Sequence, residues 1–177
     1  SIDLLINNAG MSGDRRNQAW GQIDQNEFTK LISINAFGAL KVAEAFSKNI
    51  ANSEGKKIVA ISSVAGSISS MGRPSSLPIL SISKAALNMA MKTVALRLKD
   101  EGVTVILINP GAVDTRALRQ AFGLSLEEAE KATNFDYKGY PTVSPEEGVR
   151  RMIDVIENAD QSQNGSFLNH DGKELPW

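Results

Sequence analysis

Short apolar runs alternate with long amphipathic segments along this chain, and that alternation restricts the fold more than any other feature. The runs cover residues 2–6, 58–61 and 103–108, with a weaker fourth at 165–168. Their β-branched content predicts strands. The segments between them are long enough to hold the helices that connect parallel strands. The sequence therefore predicts an α/β fold in which residues 1–177 form a single domain around a parallel sheet.

Helix-capping patterns place the boundaries of the connecting helices. Asp24, with Glu27 three residues later, reads as a capping box that opens a helix over residues 24–50. This helix carries an apolar stripe that runs from Phe28 to Phe46. A second long helix is expected over residues 81–98. Ser144 followed by Pro145 opens a third helix that ends near residue 159, and residues 126–132 suit one short helix.

Three polar or glycine-rich segments follow the predicted strands. They cover residues 7–10, 62–78 and 109–115. In parallel sheets the ligand lies outside the carboxyl ends of the strands. These three loops are therefore the predicted site.

Two polar residues interrupt apolar helix faces. Asn35 lies on the face of Phe28, and Lys84 lies in line with Leu87 and Met91. A buried amide or ammonium group is costly without hydrogen bonds. Each residue therefore has two interpretations. It belongs to a functional site, or it is an ordinary part of the core: Asn35 with its hydrogen bonds satisfied, and Lys84 with its stem packed and its ammonium group in water.

Composition excludes several classes of function. The net charge of −1 predicts no nucleic-acid partner, and no apolar run approaches the length that spans a bilayer. The absence of cysteine fits a cytoplasmic protein. The single histidine, His170, has no metal-ligand companions at suitable spacing, so we expect a solvated surface residue and no metal site.

Five motifs, in order along nearly the whole chain, carry a resemblance to a known family. They are Asn7-Asn8-Ala9-Gly10 after the first strand, Asn35 in its helix, Ser62-Ser63-Val64-Ala65-Gly66, Ser83-Lys84-Ala85-Ala86-Leu87-Asn88, and Asn109-Pro110-Gly111-Ala112-Val113-Asp114-Thr115. Together they resemble the short-chain dehydrogenase/reductase family. The ending, residues 172–177, is similar to its C-factor or sniffer-like carbonyl reductase branch.

The resemblance implies a Rossmann-like, doubly wound parallel sheet, of which this chain holds the C-terminal portion. It also implies NAD or NADP as cofactor and a small carbonyl or alcohol as substrate. By resemblance Asn35, Ser63 and Lys84 are catalytic: the asparagine positions a water, the serine binds the carbonyl oxygen, and the lysine lowers the pKa of a tyrosine and holds the ribose. The cofactor-binding residues implied are Asn8, Ala9, Gly10, Lys84, Pro110, Gly111, Val113 and Thr115.

Two departures from the family pattern bear on activity. The proton-donating tyrosine should stand four residues before the lysine, and that position is Leu80. The only tyrosines, Tyr137 and Tyr140, fall in residues 116–143, which form the substrate lid in relatives. The glycine-rich phosphate loop of the family is also absent from residues 1–177, so we expect an N-terminally truncated domain with doubtful cofactor binding.

Three functional hypotheses follow. The first is an oxidoreductase of this family whose catalysis is impaired, a possible pseudoenzyme. The second is a non-catalytic binding or assembly subunit, which associates as a homo-oligomer through the helices at 24–50 and 81–98. The third is that the sequence is a piece of a longer protein with an upstream phosphate loop.

Overall fold

The computed structural model describes residues 1–72, 74–133 and 135–177 and contains one four-stranded sheet. The strands are β1 (Leu4–Asn7), β2 (Lys57–Ile61), β3 (Thr104–Asn109) and β4 (Phe167–Asn169). They pair in the order β1-β2-β3-β4, and every pair is parallel. The predicted α/β, Rossmann-like fold with four parallel strands is therefore confirmed.

Helices cover both faces of this sheet. They are α1 (Gln25–Ile32), α2 (Ala39–Ala51), α3 (Pro78–Arg97), α4 (Arg116–Ala121), α5 (Leu126–Lys131) and α6 (Pro145–Asn158). Alternate strand residues point to opposite faces. Ile58 and Leu107 pack with α2 and α3, whereas Val59 and Ile106 pack with α6. The central strands β2 and β3 are buried on both faces, which explains their nearly continuous apolar sequence, whereas Leu4 and Ile6 of the edge strand β1 are exposed.

The predicted helix at 24–50 is interrupted by a wider turn. Residues 33–38 form a π-helical segment between α1 and α2, and Asn35 lies buried within it. A π turn holds an extra residue and shifts the face that later side chains occupy. The expected apolar stripe is wrong at its ends: Leu31 and Ala43 are buried, but Phe28 and Phe46 are exposed. The π turn can account for Phe46, which follows it, but not for Phe28, which precedes it.

The predicted helix caps are largely correct. The Asp24 side chain accepts a hydrogen bond from the Glu27 amide, and Ser144 accepts one from the Glu147 amide. The Glu27 carboxylate does not complete a capping box, however. It accepts instead from the Asp14 amide at 2.7 Å and so joins α1 to the loop after β1.

Helix α3 begins at Pro78, earlier than the predicted residue 81. Proline suits the first helical position because its missing N–H needs no partner there. Leu80 therefore lies in the first turn of α3, one turn before Lys84. This helix also has the length and composition of a membrane span, which the sequence analysis did not expect. Its buried residues, among them Leu87 and Met91, pack in the core beside the sheet.

Leu87 and Leu96 on α3 offer a matched test of this packing. Leu87 is 2% exposed and Leu96 is 67% exposed. Leu87→Ala should lower the free energy of unfolding by about 2–5 kcal/mol because it leaves a cavity in the core. Leu96→Ala should change it by less than about 0.5 kcal/mol. Urea denaturation measures both, and equal losses would contradict the assigned burial.

Candidate functional site

The loops that follow β1, β2 and β3 meet around one cavity of about 1090 Å³. The parallel sheet brings their ends to a common edge, as the sequence predicted. Nine of the residues singled out from the sequence line this cavity: Asn8, Gly10, Ser63, Leu80, Lys84, Pro110, Gly111, Val113 and Thr115. Ala9 and Asn35 are not among its lining residues.

Lys84 projects from the middle of α3 toward the β2 loop. Its ammonium group donates a hydrogen bond of 2.9 Å to the carbonyl oxygen of Ile61, at the end of β2. This is its one hydrogen bond to the described part of the chain, and none of the ion pairs there includes it. Burial alone lowers the pKa of Lys84 to about 8, because a charged amine is poorly solvated there.

Asn35 is buried behind the cavity and fully hydrogen-bonded. Its Oδ1 accepts from the Met11 amide at 2.8 Å, and its Nδ2 donates to the Met11 carbonyl and the Ser83 hydroxyl at 2.9 Å each. The backbone at Gly10 lies close to the side chains of Asn35 and Lys84: a Cβ there would lie 3.3 Å from Asn35 Oδ1 and 3.5 Å from Lys84 Nζ. Asn35 therefore holds the β1 loop against α3 next to the lysine.

The serine loop is fixed by residues on either side of it. Ser63 lines the cavity and caps a short 3₁₀ turn by accepting from the Ala65 amide at 3.2 Å. Asn109, at the end of β3, accepts from the Val64 amide at 3.0 Å. Buried Ser62 donates to Asn88 Oδ1 on α3. These contacts leave Ser63 facing the cavity on a fixed turn.

Gln18 is a site residue that sequence reasoning missed. It is completely buried, its Nε2 donates to the Ser12 carbonyl at 2.8 Å, and its Oε1 accepts from the Leu80 amide at 3.0 Å. It satisfies one of the free amides in the first turn of α3. No local sequence pattern marks Gln18, because both of its partners are backbone groups and the Leu80 amide is distant along the chain.

The two tyrosines, Tyr137 and Tyr140, lie at different depths beside the cavity. Tyr137 is buried and donates its hydroxyl proton to Asp114, which also accepts from Arg119 at 2.7 Å. Burial and, less strongly, the Asp114 carboxylate raise the pKa of Tyr137. Tyr140 lines the cavity and is half exposed. Within the described residues neither hydroxyl is hydrogen-bonded to Lys84.

His170 is not the solvated residue that the sequence suggested. Its ring lies so close to Gly111 that a Cβ there would come within 2.5 Å of the imidazole, and Gly111 has φ +73°. The Nδ1 atom is buried without a partner in the part of the chain described. Within that part no group of three or more potential ligands gathers, and the absence of a metal site stays a prediction.

Most of the residues that the resemblance assigns to the nicotinamide end of the cofactor line this cavity. Thr115 and Lys84 line it with hydrogen-bond donors, and Gly10 lets the backbone lie close to Lys84 Nζ. The missing side chain of Gly111 makes room for the His170 ring. Among the described residues, no helix of eight or more residues starts from a glycine-rich turn that could hold a pyrophosphate.

Comparison with known proteins gives the family. The short chain dehydrogenase family model matches residues 1–123. The chain is 34% identical over its full length to the short chain dehydrogenase gsfK of Penicillium aethiopicum, and 29% identical over 99% of its length to C-signal of Myxococcus xanthus. The chain belongs to the short-chain dehydrogenase/reductase family, as its motifs predicted.

Solved structures agree with this assignment. An NADPH-bound carbonyl reductase from chicken fatty liver superposes over the whole chain with a TM-score of 0.81 and 25% identity. Carbonyl reductase Sniffer of Drosophila melanogaster, at 21% identity over 99% of the chain, shares the fold with a TM-score of 0.79.

The chain covers different shares of these proteins. It spans 68% of gsfK and 93% of C-signal, but 55% of an uncharacterized Schizosaccharomyces pombe oxidoreductase and 66% of the chicken enzyme. Members of this family are oxidoreductases that use nicotinamide cofactors.

The lowered pKa of Lys84 predicts a pH-dependent contribution to stability. Its pKa rises from about 8 when folded to 10.5 when unfolded, so the unfolded chain binds more protons between these values. The cost of burying the charged amine is present below about pH 8 and is relieved as the pH rises to 10.5. The unfolding free energy of the wild type, minus that of Lys84→Met, should increase over this interval by at most about 3 kcal/mol. A difference that stays flat in urea titrations would contradict the buried amine.

Proposed function

We propose that this chain is a carbonyl or alcohol oxidoreductase of its family in which conventional catalysis is impaired. The observation that carries this is Leu80, which lies on the cavity wall one turn before Lys84 and has no exchangeable proton. General acid catalysis typically contributes about 10²–10⁴-fold to such a step. Loss of the phenol therefore leaves the substrate oxygen without its proton donor.

The remaining residues keep part of the machinery. Bound NAD or NADP would supply or accept the hydride, and Gly10, Lys84, Pro110, Gly111, Val113 and Thr115 would hold its nicotinamide end. Ser63 would donate a hydrogen bond to the carbonyl oxygen. The lysine ammonium would bind a ribose hydroxyl, while Asn35 keeps the loop behind it in place.

Cofactor contacts of residues 1–177 would be confined to the nicotinamide end. The pyrophosphate is normally held by amides of a glycine-rich helix start. Residues 1–177 contain no such loop, so the chain would hold only the nicotinamide end. Binding by this chain alone should be weak, and the choice between NAD and NADP stays open.

Restoring the phenol tests the role of Leu80. In a chain extended at its N-terminus by the glycine-rich unit of an intact relative, Leu80→Tyr should raise aldehyde reduction by roughly 10²–10⁴-fold over the extended parent. Nicotinamide absorbance at saturating cofactor measures the rate. Leu80→Phe is the matched control, since it adds the ring without the hydroxyl and should give no such gain.

Two outcomes would contradict the proposal. One is robust reduction of carbonyls by the unaltered 177-residue chain with NADH or NADPH. The other is an equal gain from phenylalanine and tyrosine, which would assign the effect to packing rather than to proton donation.

We also propose, as an alternative role, that the chain acts as an assembly subunit through α2 and α3. Three exposed apolar side chains, Ile82, Met89 and Leu96, recur every seven residues on α3 and so share one face. Exposed Val42 and Phe46 lie one turn apart on α2. A second copy of this chain would cover both surfaces.

Charge placed on this face tests the assembly. Light scattering at micromolar concentration should give a mass above that of one chain, and Met89→Lys should reduce it to that of a monomer. Ile153→Lys is the control, because Ile153 is also exposed but lies on α6, across the sheet. A monomeric wild type, or equal effects of both substitutions, would exclude the α3 face as an interface.

A cytoplasmic location and a single domain remain predictions.

A further inference from the structure

The loss of the phenol leaves a primary amine as the reactive group of the cavity. Lys84 and Leu80 lie one helical turn apart and both line the cavity wall. The amine is anchored through one hydrogen bond to the Ile61 carbonyl, which fixes its position without neutralising its charge. Ser63, in the loop after β2, also lines the cavity and adds a hydroxyl to its wall.

We propose that Lys84 is an amine nucleophile that forms a Schiff base with small aldehydes entering this cavity. A lysine becomes nucleophilic when burial disfavours its charged form, and such lysines form imines with carbonyl compounds. Burial is the sole cause of the lowered pKa of Lys84, with no charged side chain contributing from α3 or the loops packed on it. A tyrosine at position 80 would instead place a hydroxyl beside the ammonium group.

The chemistry balances without any cofactor. The neutral Lys84 nitrogen attacks the carbonyl carbon and forms a C–N bond while the carbonyl π electrons move to oxygen, and one N–H proton is transferred to that oxygen. The carbinolamine hydroxyl then takes a second proton and leaves as water while the nitrogen lone pair forms the C=N bond. The nitrogen gives up its remaining N–H proton, so both amine protons are accounted for in the water. One water leaves for each imine formed, and nothing is oxidised or reduced.

The cavity wall indicates the class of aldehyde. Four of the apolar side chains that line the same cavity as the amine are those of Met11, Leu80, Leu118 and Phe122. Ser63 provides a hydroxyl for the carbonyl oxygen. Unbranched alkyl aldehydes suit this combination, since their tails bury apolar area while the head reaches the amine. Schiff-base formation does not depend on hydride transfer. A negative result for it would therefore leave the proposed oxidoreductase function unaffected.

Reductive trapping tests the proposal in the unaltered chain. The protein is incubated with butanal and sodium cyanoborohydride, which reduces an imine to a stable alkylamine, and each lysine is quantified by peptide mass spectrometry. Lys92 is an internal control: it lies on the same helix and donates to one backbone carbonyl at 3.0 Å, but it does not line the cavity. Initial alkylation at Lys84 should exceed that at Lys92 by roughly tenfold or more at pH 8.

The dependence of the Lys84 alkylation rate on pH is a second measurement, and a difference in accessibility alone would not produce it. Alkylation of Lys84 should rise toward about pH 8 and then level off, as the amine loses its proton. Lys84→Arg should remove the fast modification while leaving the Lys92 rate unchanged. Alkylation of Lys84 no faster than of Lys92 would overturn the proposal, and because this comparison is made in one wild-type sample it does not depend on the variant folding.

Discussion

Parallel pairing of β1 with β2 and of β2 with β3 is the constraint on which the site depends. Each crossover returns the chain so that all carboxyl ends meet at one edge of the sheet. Residues far apart in sequence are thereby brought together. Asn109 at the end of β3 binds the Val64 amide in the loop after β2, and Lys84 binds the last carbonyl of β2. Without this register the serine loop and the lysine would not face the same cavity.

Local patterns predicted much of this arrangement. Strands with β-branched runs, the Asp24 and Ser144 caps, and the loops at the strand ends depend on neighbouring residues, and the structure shows them. The features missed depend on long-range contacts. The π turn around Asn35 forms where its side chain can bind both backbone groups of Met11, and nothing within the helix sequence signals it. The Glu27 carboxylate likewise prefers the distant Asp14 amide to its own helix start.

Burial of Lys84 has opposite consequences for stability and for chemistry. A charged amine in this position is poorly solvated, which lowers its pKa to about 8 and costs folding free energy near neutral pH. The same desolvation makes the neutral, nucleophilic form available. Within the described residues, the hydrogen bond to Ile61 is the one contact that offsets the cost, and a carbonyl dipole does so less well than an ion pair.

Two hydrogen bonds to the backbone of Leu80 hold it in place without involving its side chain. Gln18 accepts from the Leu80 amide, and Ser83 donates to the Leu80 carbonyl at 2.8 Å. Both bonds would form with any residue that can begin a helix, so the fold does not require a tyrosine at this position. Ser83 also receives a hydrogen bond from Asn35, which ties the same network to the loop after β1. These contacts fix the first turn of α3 whichever side chain stands at position 80, so the position of the Lys84 amine at the cavity wall does not depend on that side chain.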